Sequence, residues 1–154
     1  MTVKTTDINE LIKEVYNGTI FAVKNIIPLK PNIGVPQLIN PPLTVNFGVM
    51  IGFTGGLKGE LVLRSNTDFI SEIGETMFGM SLSDDMLESF AGELGNMIAG
   101  SLSTYLAEKN IKTDITHPTV LKGDVQLSGF KRALLVEIEY SEDKNLVIHL
   151  LLNQ

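Results

Sequence analysis

The chain has 154 residues, 44% of them hydrophobic, with 12 Lys and Arg against 18 Asp and Glu and a formal charge of -6. That length suits one domain, residues 1–154, with a sizeable core, while scattered cations give no footprint for nucleic-acid phosphates and exclude that partner class. The absence of cysteine removes disulfides, thiolate catalysis and Cys-based metal sites, and no apolar run reaches the roughly 20 residues a membrane helix needs, so a soluble cytoplasmic protein is expected.

Met1–Asp7 has no apolar signal core. Asp7 followed by Glu10 fits a capping box, in which each side chain satisfies a free amide at a helix start. Ile8, Leu11, Ile12, Val15, Thr19, Ala22, Val23 and Ile26 then repeat at threes and fours, a buried stripe running from about Asp7 to Ile27. Pro28 stops it. Glu10, Glu14, Asn17 and Phe21 lie on the other face, and Phe21 could mark a subunit contact. Residues 28–42 contain all but one of the prolines, so a connecting loop is expected, either a long surface crossing or one holding a short edge strand. Leu43 to Phe53 reads as a strand, and Lys58 to Arg64 as its hairpin partner across Thr54-Gly55-Gly56. Asn66 or Thr67 caps a second helix, with Phe69, Ile70, Ile73, Met77 and Phe78 on its apolar side and Gly79 at its end.

Ser83 or Asp84 caps a central helix that runs to about Lys109 and ends at Asn110. At 100° per residue, Leu87, Leu94, Ile98 and Tyr105 form one line, flanked by Phe90, Ala91 and Leu102, and this side faces a core. Ser89, Glu93, Asn96 and Gly100 form the opposite line, with Gly92, Gly95, Ala99 and Ser103 beside it. Each Gly costs about 1 kcal/mol relative to Ala inside a helix, so three here imply that another backbone approaches closely, first of all that of a partner. Met77, Met80, Met86 and Met97 read as adaptable packing in core or interface.

Beyond this helix the chain turns β-rich. Ile111 to Leu121 is a broken extended segment interrupted by Pro118, and Arg132 to Tyr140 with Leu146 to Leu152 form a hairpin around residues 141–144. The apolar strand Leu146–Leu152 could be an edge that pairs with a second subunit. A long helix followed by a strand pair occurs twice, from Asp7 to Arg64 and from Asp84 to Leu152, which suggests a pseudo-duplicated α+β fold with two long helices packed on an antiparallel sheet.

The run Ser89-x-x-x-Glu93-x-x-Asn96, followed by Pro118 after 21 intervening residues, resembles the signature of the CheC/CheX/FliY chemotaxis phosphatases. Ile8-Asn9 in the first helix and residues 52–63 share the likeness, and the single well-formed motif favours the CheX-like branch. The resemblance implies the same pseudo-duplicated CheC/CheX-like fold, a homodimer, and an enzyme that dephosphorylates the aspartyl phosphate of a CheY-type response regulator. In that mechanism Glu93 contacts the regulator's active-site lysine, and Asn96 positions the hydrolytic water. Ser89, Gly92, Gly100 and Pro118 are supporting or docking positions. This chain would bind no cofactor, the Mg2+ being carried by the regulator.

The residues themselves fit that chemistry. A carboxamide offers both donor and acceptor and can fix a water, whereas a carboxylate is a charged acceptor; neither attacks phosphorus readily by itself. Neither His117 nor His149 stands at a triad spacing from Ser89, and two isolated histidines make no metal site. His117 reads as a strand-end or surface residue, and His149 as packed or edge-facing. The alternative reading is a catalytically silent scaffold that docks response regulators or motor-switch proteins. Glu14-x-x-Asn17 repeats the Glu93/Asn96 spacing, and the CheC branch has two such motifs, so a second site is a candidate. With Gly18 next and no proline at the matching distance, a solvated helix face is the default.

Overall fold

The computed structural model describes residues 8–153, so Asp7 and the capping box it would close lie outside the described residues. Helix α1 (Ile8–Ile26) follows its apolar period and buries Leu11, Val15, Thr19, Ala22 and Val23. The proline-rich crossing contains two short strands, β1 (Asn32–Ile33) and β2 (Gln37–Ile39). The expected hairpin follows as β3 (Leu43–Gly55) and β4 (Gly59–Arg64). Helix α2 (Thr67–Phe78) starts where Asn66 Oδ1 accepts the Phe69 amide at 2.7 Å and ends at Gly79, whose φ of 71° is the left-handed geometry glycine adopts freely. The central helix α3 spans Asp84–Glu108. Strands β5 (Thr113–Ile115), β6 (Thr119–Leu127), β7 (Arg132–Ser141) and β8 (Lys144–Leu152) complete the chain.

The strands form one antiparallel sheet in the order β1-β7-β8-β4-β3-β5, with β2 also on β7 and β6 also on β3. Each hairpin therefore takes its outer strands from the other half of the chain. Helices cover one face, where Val15, Ile51, Ile73, Ile98, Leu102 and Ile138 belong to the main core. A smaller cluster on the other face includes Val45, Val62, Leu121, Phe130 and Leu151.

Several expectations change. Strand β8 lies between β7 and β4, so Leu146–Leu152 has no free edge and cannot pair with another subunit. Its nearly unbroken apolar run reflects burial on both faces. Strand β6 continues to Leu127, because Gly123, at φ 80°, carries the chain through the polar stretch Lys122-Gly123-Asp124. Phe78, placed on the apolar side of α2, is 54% exposed because it stands on the last turn, at the rim of the α2–α3 contact.

The glycines of α3 differ in role. A Cβ on Gly95 would stand 2.5 Å from Val49 Cγ1 and 3.2 Å from Pro118 Cβ, so the close approach is by the chain's own sheet and not by a partner. Ala99 is buried as well. At Gly92 a Cβ would make an ordinary 3.7 Å contact with Val120, and at Gly100 it would meet nothing within 4 Å. On the other flank, Gly18 of α1 admits α3, where a Cβ would stand 2.7 Å from both Leu102 Cδ1 and Tyr105 Cδ1.

Substituting the two glycines therefore gives opposite signs. Gly95→Ala is expected to lower the unfolding free energy by about 1–3 kcal/mol through overpacking. Gly100→Ala is expected to raise it by up to about 1 kcal/mol through helix propensity. Urea titrations followed by circular dichroism measure both; equal effects would show that α3 is not held against the sheet at Gly95.

Candidate active site

Helix α3 is clasped on several sides, by α1 along one flank, by β3, β5 and β6 beneath, and by α2 near its start. Packing of this kind fixes both rotation and height of the helix, so the remaining outward strip presents side chains in fixed directions. Ser89, Glu93, Asn96 and Gly100 are all exposed on that strip. Among the described residues, the Glu93 and Asn96 side chains have no hydrogen-bond or ionic partner within the chain. Water satisfies them as they stand, and a docked molecule can replace that water without breaking an internal bond.

Pro118 packs at the foot of this strip, against Gly95, one residue before Asn96. It opens the way into β6, whose Val120 reaches Gly92 and whose Lys122 Nζ lies 3.7 Å from Glu88 Oε1. The pair is solvent-exposed and contributes little stability. Pro118, Gly92 and Glu93 thus belong to one neighbourhood although far apart in sequence. Ser89 lines a groove with Phe78, Met80, Met86, Phe90 and Glu93, of about 450 Å³. Sequence reasoning marked Met80 and Met86 only as core or interface packing and did not join them with Phe78 into an apolar wall. Its signal was the four-residue connection after Gly79, too short to bury Met80 within it or Met86 just beyond it.

The second candidate pair is placed differently. Glu14 is half-buried between α1 and α3, where Tyr105 Oη donates to its Oε1 at 3.5 Å, and Asn17 lies one turn on, half-buried beside Gly18. The Tyr105 ring also contacts Phe21 at a centroid distance of 5.5 Å. Glu14 is thus partly occupied by an interhelical contact, unlike Glu93. Phe21 remains 50% exposed.

No histidine joins the strip. His117 is exposed in the β5–β6 connection, and His149 is fully buried in a central strand. Among the described residues, no group of three or more His, Cys, Asp or Glu is arranged to hold a metal ion. What the strip offers is a free carboxylate and a free carboxamide on one rigid helix, a pair able to accept a cation and to orient one polar molecule.

The family described as chemotaxis phosphatase CheX matches residues 47–132, more than half of the chain. The CheY-P phosphatase CheX of Thermotoga maritima is 28% identical over 148 residues, covering 93% of each chain. Among solved structures, the chemotaxis protein CheX from Desulfovibrio desulfuricans is similar with a TM-score of 0.74 at 18% identity, covering 93% of this chain and 99% of its own. CheX in a CheX-CheY-BeF3-Mg+2 complex from Borrelia burgdorferi also matches with a TM-score of 0.74 at 18% identity, covering 93% of this chain and 97% of its own.

A marked perturbation of a titratable group lies away from the strip, at His149. Burial, and then the nearby Arg64 charge, lower the His149 pKa to about 4. His149 Nε2 accepts from Arg64 Nε at 3.2 Å, so the neutral ring carries its proton on Nδ1, which is buried without a partner. The native ring stays neutral through most of the range in which an unfolded-chain histidine, at pKa 6.5, takes up a proton. Proton uptake by the unfolded state alone removes stability as pH falls from 6.5 towards about 4. The loss is on the order of 3 kcal/mol. Urea titrations across that window should show a steeper loss for the wild type than for His149→Gln; parallel curves would show that His149 titrates normally.

Proposed function

The chain belongs to the chemotaxis phosphatase CheX family, and on that premise we propose that it hydrolyses the aspartyl phosphate of a CheY-type response regulator, with Glu93 and Asn96 as its two active side chains. The observation that carries this reading is their shared condition. Both are exposed and, among the described residues, unpaired, on a helix locked against its sheet one residue from Asn96.

In this mechanism α3 lies across the regulator's active site. The Glu93 carboxylate forms an ion pair with the regulator's active-site lysine and so sets the orientation of the complex. Asn96 enters beside the phosphoryl group, where its amide holds a water on the side opposite the aspartyl oxygen. A water oxygen bonds to phosphorus as the bond between phosphorus and the aspartyl oxygen breaks. Inorganic phosphate leaves, the regulator recovers its carboxylate, and the proton of the water passes to phosphate or solvent. Positioning suffices because phosphoryl transfer draws most of its catalysis from alignment and charge neutralisation.

Mg2+ belongs to the regulator in this reading, as a counter-charge to the phosphoryl oxygens; the related Borrelia complex contains CheY and Mg2+ together with CheX. Ser89 lies one turn before Glu93 and serves docking, while Pro118 holds the foot of the strip against Gly95. Gly92 and Gly100 leave its sides low enough for the partner's loops. Glu14 and Asn17 take no part in turnover, since Glu14 is engaged with Tyr105. On this reading the chain works in the cytoplasm beside its regulator; no helix among the described residues is long and apolar enough to cross a membrane. A homodimer would join through outer strands such as β1 or β5, which end the sheet.

Phosphate release from a phosphorylated CheY-type regulator with Mg2+ tests the reading. Wild type is expected to accelerate release, and Glu93→Ala and Asn96→Ala each to lose about 100-fold with unchanged unfolding curves. Glu14→Ala and Asn17→Ala should stay within about twofold of wild type. Equal rates with and without the protein would favour a silent docking scaffold.

A further inference from the structure

Three of the large hydrophobic side chains that stand exposed among the described residues gather beside the strip: Phe78 at 54%, Met80 at 54% and Met86 at 40%. They wall the same groove of about 450 Å³ that Ser89 and Glu93 close on the other side. The groove is preformed. Its elbow turns at Gly79, with φ 71°, and Leu82 tucks against Gly74 of α2. The Phe78 ring stands edge-on to the buried Phe90 at 5.6 Å and 82°. Little rotamer freedom remains to be lost by Phe78 on binding. An apolar wall fixed in this way and left in water is the arrangement of an anchoring pocket at an interface.

We propose that this groove is the anchor for the phosphorylated regulator, taking an apolar side chain of that partner flanked by lysine or arginine. The inference rests on the phosphatase reading and adds the surface that selects and holds the substrate. Two observations favour the regulator as occupant. Glu93 and Ser89 form part of the groove wall, so any protein that brings a phosphoryl group to Glu93 and Asn96 also covers the groove. Asp84, Asp85 and Glu88 stand exposed along the start of α3, and of these only Glu88 has a described cation near it, Lys122 at 3.7 Å. A basic surround on the partner complements that rim. The groove therefore acts on affinity, whereas Glu93 and Asn96 act on the reaction.

Met80→Ser is the cleanest variant, because Met80 lies on the connection between helices and is more than half exposed. Phe78→Ser and Met86→Ser accompany it, each checked by thermal unfolding. For the phosphorylated regulator, Met80→Ser and Met86→Ser should each raise KM by about tenfold with kcat within twofold, and Asp85→Asn should make binding less sensitive to salt. Binding of the same regulator is measured in parallel by calorimetry. Turnover with wild-type KM in all three apolar variants would overturn the anchor and leave the phosphatase reading intact. Binding that weakens in the variants without wild-type turnover would keep the anchor and overturn the phosphatase reading. Absence of both binding and turnover would overturn both. A change of sedimentation coefficient in the variants with no change in KM would assign the groove to a second copy of this chain, against the proposal.

Discussion

Helix α3 rests on the sheet at a separation that a side chain at position 95 would forbid. Val49 and Pro118 occupy the space where a Cβ would stand, at 2.5 and 3.2 Å, and Gly18 performs the same service for α1 against Leu102 and Tyr105. Two close approaches, one below and one beside, determine where the outward strip points. Everything presented on that strip depends on them, because among the described residues the side chains at 89, 93 and 96 have no partner to hold them in place. Rigidity comes from packing beneath the helix, so the polar groups above it remain free for a partner.

Division of labour follows from this geometry. The polar pair lies on a helix gripped from below, while the apolar groove lies where α2 gives way to α3 and the chain turns through a short connection. One region is suited to orientation, the other to adhesion. Pro118 belongs to the first: it marks the start of β6 and touches the helix one residue before Asn96. The distance of Pro118 from the motif in sequence is therefore a record of how the sheet folds back under α3.

What could be read from the sequence was whatever depends on local periodicity. The outward line of Ser89, Glu93, Asn96 and Gly100 follows from 100° per residue alone, and all four are exposed. Gly95 and Gly100 look alike in the sequence, yet one is closed in by Val49 and the other opens to solvent, because the difference lies in strands that arrive from far along the chain. Phe78 falls on the apolar period of α2, but the helix ends before its neighbours can cover that ring. Strand β8 did carry a signal, an apolar run without alternation, which belongs to a strand covered on both faces and was mistaken for an edge. The two strands within the proline-rich crossing have too few residues to show any period, and exist because β7 supplies their partner.

That last pairing has a consequence for how the protein is made. Residues 32–39 find their hydrogen-bonding partners at residues 133–139, far later in the chain. Strand β4 likewise waits for β8, which includes the last residues of the sheet. A ribosome that has released only the first hairpin has released two unpaired edges with it. The sheet therefore closes only once β7 and β8 have emerged, and until then the edges of the first hairpin stay open to other strands.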